Sequence, residues 1–226
     1  MWKYKNPVEV VFCDELMSCI KDKVQGRGFA IVTYNEKYFI DKAEEIKSKV
    51  PGCYIILTDV FENPDINDIP KINDSFSPFQ SDVEVLVAIG GGSVIDTTKA
   101  LSVSGGSQSK LVAVLKDGQD VGQTLPIIAV PTTTGTGSEV TSWATIWDKT
   151  NGKKYSLNHS SLYPECAICS PELTLNLPLS LTVQTGLDAL SHALESIWNI
   201  NANDVSFVFC TRCDQKNNRC SAEVVN

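Results

Sequence analysis

Asp188 and His192 stand four residues apart in the segment TGLDALSHALE, whose apolar residues recur at helical spacing. On a helix that interval puts a carboxylate and an imidazole on one face, where both reach a single divalent cation. Two side chains make a weak site, and the sequence holds only one further histidine, His159. By itself such a pair serves surface hydrogen bonding more often than metal binding.

A second group, Gly90-Gly91-Gly92-Ser93-Val94-Ile95-Asp96, lies where an apolar run hands over to a helical pattern. Glycines let the main chain approach an anion closely, and a helix N-terminus offers free N–H groups and a positive dipole end. A pyrophosphate suits that arrangement. So does a ligand-free turn capped by Ser93, with Asp96 three residues on. The segment is not the Gly-x-Gly-x-x-Gly pattern, and it does not follow the first strand. A third group, Pro131-Thr132-Thr133-Thr134-Gly135-Thr136-Gly137-Ser138-Glu139, follows another apolar run. Its hydroxyls offer donors for phosphate, ribose or amide groups, although such loops are often no more than solvated turns. Two loops following two strands of one sheet point to one crevice at the carboxyl ends of the strands.

The elements that must carry these groups are legible in outline. FAIVTY (29–34) and YIILT (54–58) read as buried parallel strands. Between them Tyr38, Phe39, Ala43 and Ile46 mark an amphipathic helix that Pro51-Gly52 ends. A Pro/Asp/Asn-rich stretch follows, a loop with room for a short helix. VEVLVAI and PIIAV are further strands, and residues 141–160 alternate as a hairpin around Asp148 to Gly152. CAIC (166–169) reads as a strand running into a Pro-initiated segment. The fold class is therefore α/β.

With 226 residues and 27 acidic against 19 basic side chains, the chain carries a net charge of −8. That balance argues against nucleic acid or an anionic membrane as partner. No run approaches the roughly 20 apolar residues of a membrane helix, and no signal peptide is evident, so a cytoplasmic protein is expected. Of the eight cysteines, Cys166-x-x-Cys169 and Cys210-x-x-Cys213 formally pair as a zinc pattern. The first lies on a strand without a Gly-rich knuckle, which argues against a zinc site.

GGGSVID, PTTTGTGSE and TGLDALSHALE, in this order and at these separations, resemble the iron-containing (group III) alcohol dehydrogenases, relatives of glycerol dehydrogenase and dehydroquinate synthase. The similarity runs from KNPVEVVF near the start to NAND at 201–204. Within that family, the opening residues and SHALESIWNINAN are similar to reductases of phosphonoacetaldehyde. The resemblance implies a parallel-sheet dinucleotide-binding domain over residues 1–176, followed by the start of an all-helical metal-binding domain over 177–206. It places Gly91, Gly92 and Ser93 on the pyrophosphate and Asp96 near the nicotinamide. Thr132, Thr133 and Thr136 would contact the cofactor, and Lys154 its ribose; a solvated hairpin lysine reads equally well at that position. Asp188 and His192 match the first two ligands of Fe²⁺ or another divalent ion. The activity implied is hydride transfer between NAD(P)H and a small aldehyde or alcohol.

Three departures qualify that picture. The family's other two metal ligands are histidines of the helical domain, and His159, which precedes Asp188, matches neither. The chain alone is therefore expected to be inactive, or a truncated fragment with at most weak nucleotide binding. Tyr34 stands where NAD-preferring members carry an aspartate. It neither binds a ribose 2′-hydroxyl nor repels a 2′-phosphate, and Lys37 or Lys42 could neutralise one, so the reading leans to NADPH over NADH. Finally, residues 207–226 lose all periodicity and read as an aberrant or disordered tail. The helix around His192 is expected to expose Leu187, Leu190, Leu194 and Ile197, a face open to oligomerisation or aggregation.

Overall fold

In the computed structural model, which describes residues 1–175 and 177–210, the apolar runs form one six-stranded parallel sheet. Its strands are β1 (Glu9–Phe12), β2 (Phe29–Thr33), β3 (Cys53–Leu57), β4 (Val85–Gly90), β5 (Ile127–Pro131) and β8 (Cys166–Cys169), in the order β1-β8-β5-β4-β2-β3. A separate antiparallel pair joins β6 (Trp143–Asp148) to β7 (Lys153–Asn158) through a turn ending at Gly152, whose φ is 61°.

Every residue of β2, β4 and β5 is buried, because both faces of the sheet are covered. Ala30, Val32, Leu86 and Ala88 face a core built with α3 (Ile69–Phe76), α4 (Gly92–Ser104) and α5 (Gln108–Asp117). The alternate residues Phe29, Ile31, Val85 and Val87 face a second core shared with α1 (Leu16–Val24) and α2 (Lys37–Lys49). The chain thus leaves β2 toward one face and β4 toward the other, although β2 and β4 are paired neighbours. Such a switch point opens a crevice at the carboxyl ends of the two strands.

The hairpin is tied to this layer by Asp65, a buried residue bridged to Trp147. Its carboxylate accepts from the N–H of Asn67 (2.8 Å) and of Lys149 (3.0 Å). Burial pushes its pKa up, but these hydrogen bonds outweigh burial and hold it below the ordinary carboxylate value of 3.8. Asp65→Asn puts an amide donor against a backbone donor, and should lower stability by about 2 kcal/mol at pH 7. A depressed carboxylate stabilises above its unfolded pKa and loses that contribution as pH falls through the folded one. The difference between the two proteins in urea unfolding should therefore shrink below about pH 4.

Packing groups residues 7–132 and 138–175 in one unit. Residues 1–6 and 133–137 group instead with the described residues from 177 onward. This second unit carries α6 (Leu179–Trp198), and residues 204–210 are also helical. Residues 207–210 of the expected disordered tail are therefore helical, because Phe207 extends that turn by donating its N–H to the Asn203 carbonyl. The rest of that tail, with Cys213, lies outside the described residues. On α6 Leu187 and Leu194 are exposed, whereas Leu190 and Ile197 are half-buried; Leu179, Val183 and Trp198 are exposed as well. Among the described residues no helix is long and apolar enough to cross a membrane.

Candidate functional site: a phosphate cradle and an Asp/His pair

β4 ends at Gly90, and α4 starts two residues later with Gly91 as its N-cap and no side chain capping it. Ser93 is not the cap, which corrects the ligand-free alternative. Its Oγ accepts instead from the Asn63 N–H (3.1 Å) and meets the Tyr34 hydroxyl. In the first turn of this 13-residue helix the Val94 and Ile95 N–H groups close on the Gly91 carbonyl (3.0 and 3.2 Å), so an outside acceptor would find the N–H groups of Gly92 and Ser93. The neighbouring strand ends are pinned to the same place. Thr33 Oγ1 donates to the Ile89 carbonyl (2.7 Å), and the Thr132 N–H donates to the Gly90 carbonyl (3.1 Å).

Asp96 sits one turn into α4. Its Oδ2 accepts from the Thr145 N–H (2.9 Å), while Oδ1 is out of solvent and has no hydrogen-bond partner. Burial raises its pKa; the Thr145 N–H, the Lys99 ammonium, Ser138 and Lys154 oppose that shift. An orphaned acceptor beside an uncapped helix start fits a ligand that brings a donor and an anion together, as a nicotinamide dinucleotide does. Lys154 is exposed on β7, its ammonium 5.6 Å from the Trp147 ring centre.

Lys99, which sequence reading passed over, is fully buried. Its Nζ donates to the carbonyls of Ser138 (2.8 Å), Thr141 (2.8 Å) and Trp143 (2.7 Å). Its position three residues after Asp96 in DTTK was the available signal, since i and i+3 share a helix face.

The remaining candidates belong to the second unit. There Gly135 packs against α6 so closely that a Cβ would lie 2.6 Å from the Thr185 carbonyl oxygen. Thr133 lies two residues before that glycine and Thr136 directly after it. Asp188 Oδ1 and His192 Nε2 are 3.7 Å apart, both substantially exposed on α6. Their chemistry, one carboxylate and one imidazole on a single helix face, fits two ligands of one divalent ion. No group of three or more such side chains occurs among the described residues. His159 is elsewhere, its Nδ1 accepting from the Ser161 N–H at the start of a short turn.

The expected 2′-phosphate site fares less well. Lys42 is engaged by Glu45 (3.3 Å) and Glu172 (3.6 Å). Burial raises the Tyr34 pKa, and Glu62 and Glu36 stand close enough to raise it further. Those carboxylates would repel a phosphate dianion.

A doubly wound parallel sheet with an uncapped glycine turn at its switch point defines a dinucleotide-binding class of protein. Residues 7–171 match the family model of the iron-containing alcohol dehydrogenases. The chain belongs to that family. It is 40% identical over 123 residues to the probable alcohol dehydrogenase EutG of Escherichia coli (strain K12), covering 54% of this chain and 31% of that protein. It is 36% identical over 143 residues to the sulfoacetaldehyde reductase of Bilophila wadsworthia (strain 3_1_6), covering 63% and 36% respectively. The crystal structure of sulfoacetaldehyde reductase from Bifidobacterium kashiwanohense in complex with NAD⁺ superposes with a TM-score of 0.80 at 32% identity, over 89% of this chain and 54% of that one. The chain thus spans about a third of the length of these curated relatives and about half of that solved chain.

Proposed function

We propose that this chain supplies the nicotinamide-dinucleotide site of a metal-dependent alcohol dehydrogenase or aldehyde reductase. The observation that carries the reading is the pairing on α4 of an uncapped, glycine-lined N-terminus with the orphaned Oδ1 of Asp96 one turn further on. Gly91, Gly92 and Ser93 bind the pyrophosphate through main-chain N–H groups. Asp96 accepts a hydrogen bond from the nicotinamide amide and so orients the ring. Thr132 closes the crevice just past the end of β5, and Lys154 reaches a ribose hydroxyl.

Asp188 and His192 would hold a divalent ion, Fe²⁺ by the family's description, which when bound acts as a Lewis acid on the substrate oxygen. Among the described residues no third His, Cys, Asp or Glu joins them. This polypeptide is expected to bind the dinucleotide. Its substrate class is a small aldehyde; sulfoacetaldehyde, the substrate named for two relatives, and phosphonoacetaldehyde belong in the first panel.

The test is titration of the purified chain with NADH and NADPH, followed by nicotinamide fluorescence. Saturable NADH binding is expected, at least as tight as NADPH, because Lys42 is engaged and Glu36 and Glu62 flank Tyr34. That outcome reverses the preference read from the missing aspartate alone. Absence of saturable binding by either nucleotide would sink the dinucleotide reading. Tighter NADPH would leave it standing and return the 2′-phosphate to Lys37.

A further inference from the structure

We propose that Lys99 is a positioning residue of the dinucleotide site, its ammonium gathering the carbonyls of Ser138, Thr141 and Trp143 against α4. The inference rests on the dinucleotide reading above and deepens it.

Three carbonyls converging on one ammonium at 2.7–2.8 Å use all three of its N–H donors, and the Thr141 hydroxyl lies at 3.5 Å. The segment they belong to runs from Ser138, where the chain returns from the Thr/Gly loop, to Trp143, where β6 begins. It opens with a 3-10 turn, Ser138–Val140, whose Ser138 carbonyl also accepts from the Thr141 N–H at 3.4 Å. The buried lysine adds its donors to these carbonyls.

The same segment continues to Thr145, whose N–H donates to Asp96 Oδ2. Asp96 and Lys99, one helical turn apart, thus grip one stretch of chain from the same helix, the carboxylate by the Thr145 N–H and the Ser138 side chain, the ammonium by carbonyls. Holding Oδ2 on Thr145 leaves Oδ1 aimed away and unpaired. Lys99 therefore touches no cofactor, yet it fixes both the residue at which the Thr/Gly loop ends and the rotamer of the carboxylate that accepts the nicotinamide.

The ammonium also answers charge. Burial draws the Lys99 pKa down to about 8, with Asp96 and Glu139 opposing. Lys154, on β7, acts on Asp96 from the other side. Above that pH a neutral amine has two N–H donors for three carbonyls and no charge to set against Asp96. Burial raises the Asp96 and Glu139 carboxylates as well, and the Lys99 ammonium opposes both shifts.

The experiment measures NADH dissociation constants from pH 7 to 9.5 for the wild-type chain, Lys99→Met and Lys99→Arg, with amide hydrogen exchange at pH 7. Lys99→Met is expected to weaken NADH binding about tenfold, the effect of one or two charge-assisted hydrogen bonds. Exchange in residues 139–145 should rise while α4 and β5 stay protected, and Lys99→Arg should restore most of the affinity. Wild-type affinity should fall as pH rises through about 8, a fall absent from the arginine variant. If Lys99→Met binds NADH like wild type with 139–145 still protected, the inference is overturned while the dinucleotide reading stands. Should Lys99→Met not fold, the wild-type profile decides: a fall through about pH 8 supports the role and a flat profile overturns it. Failure of the wild-type chain itself to bind NADH at pH 7 removes the dinucleotide reading, and this role with it.

Discussion

Gly90→Ala is expected to weaken NADH binding by tenfold or more and to lower stability by about 2–3 kcal/mol. A Cβ at Gly90 would stand 2.3 Å from Val94 Cγ2 and 2.7 Å from Val94 Cβ. The second contact decides the outcome. A Cγ atom can swing aside, but Val94 Cβ is fixed to the helix backbone, and Val94 is β-branched and fully buried. Relief requires the first turn of α4 to move, and that turn is the proposed phosphate cradle. The Val94 and Ile95 N–H groups both close on the Gly91 carbonyl, so a shift at Val94 is passed directly to Gly91. Gly118→Ala is the control: there φ is 65° with open space around the Cβ, so the cost is backbone strain of about 1 kcal/mol and binding is unchanged. Denaturant unfolding and NADH titration of both variants separate the two effects. A Gly90→Ala chain that binds NADH normally would show that the phosphate lies elsewhere.

How far such a site could be read from sequence depended on where its information lies. The strands β2, β4 and β5 were legible because burial on both faces leaves an unbroken apolar run, and no other element of an α/β protein looks like that. α1 was not legible. Only Leu16, Ile20 and Val24 are buried along its nine residues, and its first turn carries no capping side chain, although Gly26 (φ 76°) directly follows the left-handed Gln25 (φ 55°). β1 is a four-residue edge strand with Val10 and Phe12 exposed, which gives pattern reading nothing to hold. Within the site, the glycines were visible by type, but the cap was misplaced: Ser-x-x-Asp looks like a capping arrangement, whereas the helix starts at Gly92 and Ser93 is taken up by Asn63 and Tyr34. For Lys99 the spacing from Asp96 shows a shared helix face but not burial. A lysine reads as solvated until three carbonyls from residues about forty positions away are seen to surround it. Local chemistry is written locally; the partners that convert a surface residue into an interior one are not.

Asp96→Asn tests the remaining assignment, and its expected signature is a large loss of binding with little change in stability. The amide is nearly isosteric with the carboxylate, and its oxygen can go on accepting from the Thr145 N–H. The amide nitrogen then occupies the orphaned position, presenting a donor where the nicotinamide amide also presents one. Two donors facing each other in a site without solvent should weaken NADH binding by about tenfold to hundredfold. Stability responds to opposing effects. Burial disfavours the Asp96 charge, so its folded pKa lies above the unfolded value of 3.8. At neutral pH the ionised side chain is therefore a liability that asparagine removes. Against this, Lys99 loses its nearest carboxylate, although Glu139 and the three carbonyls remain. The net change should stay within about 1 kcal/mol. The sign of the pH dependence follows. A raised carboxylate binds its proton more readily in the native state, so wild type gains on the asparagine variant as pH falls through the folded pKa towards 3.8. Unfolding free energies at pH 7 and pH 5, set beside NADH dissociation constants, would distinguish this from a structural role. If Asp96→Asn unfolds the chain while the folded fraction still binds NADH normally, Asp96 holds β6 and nothing more.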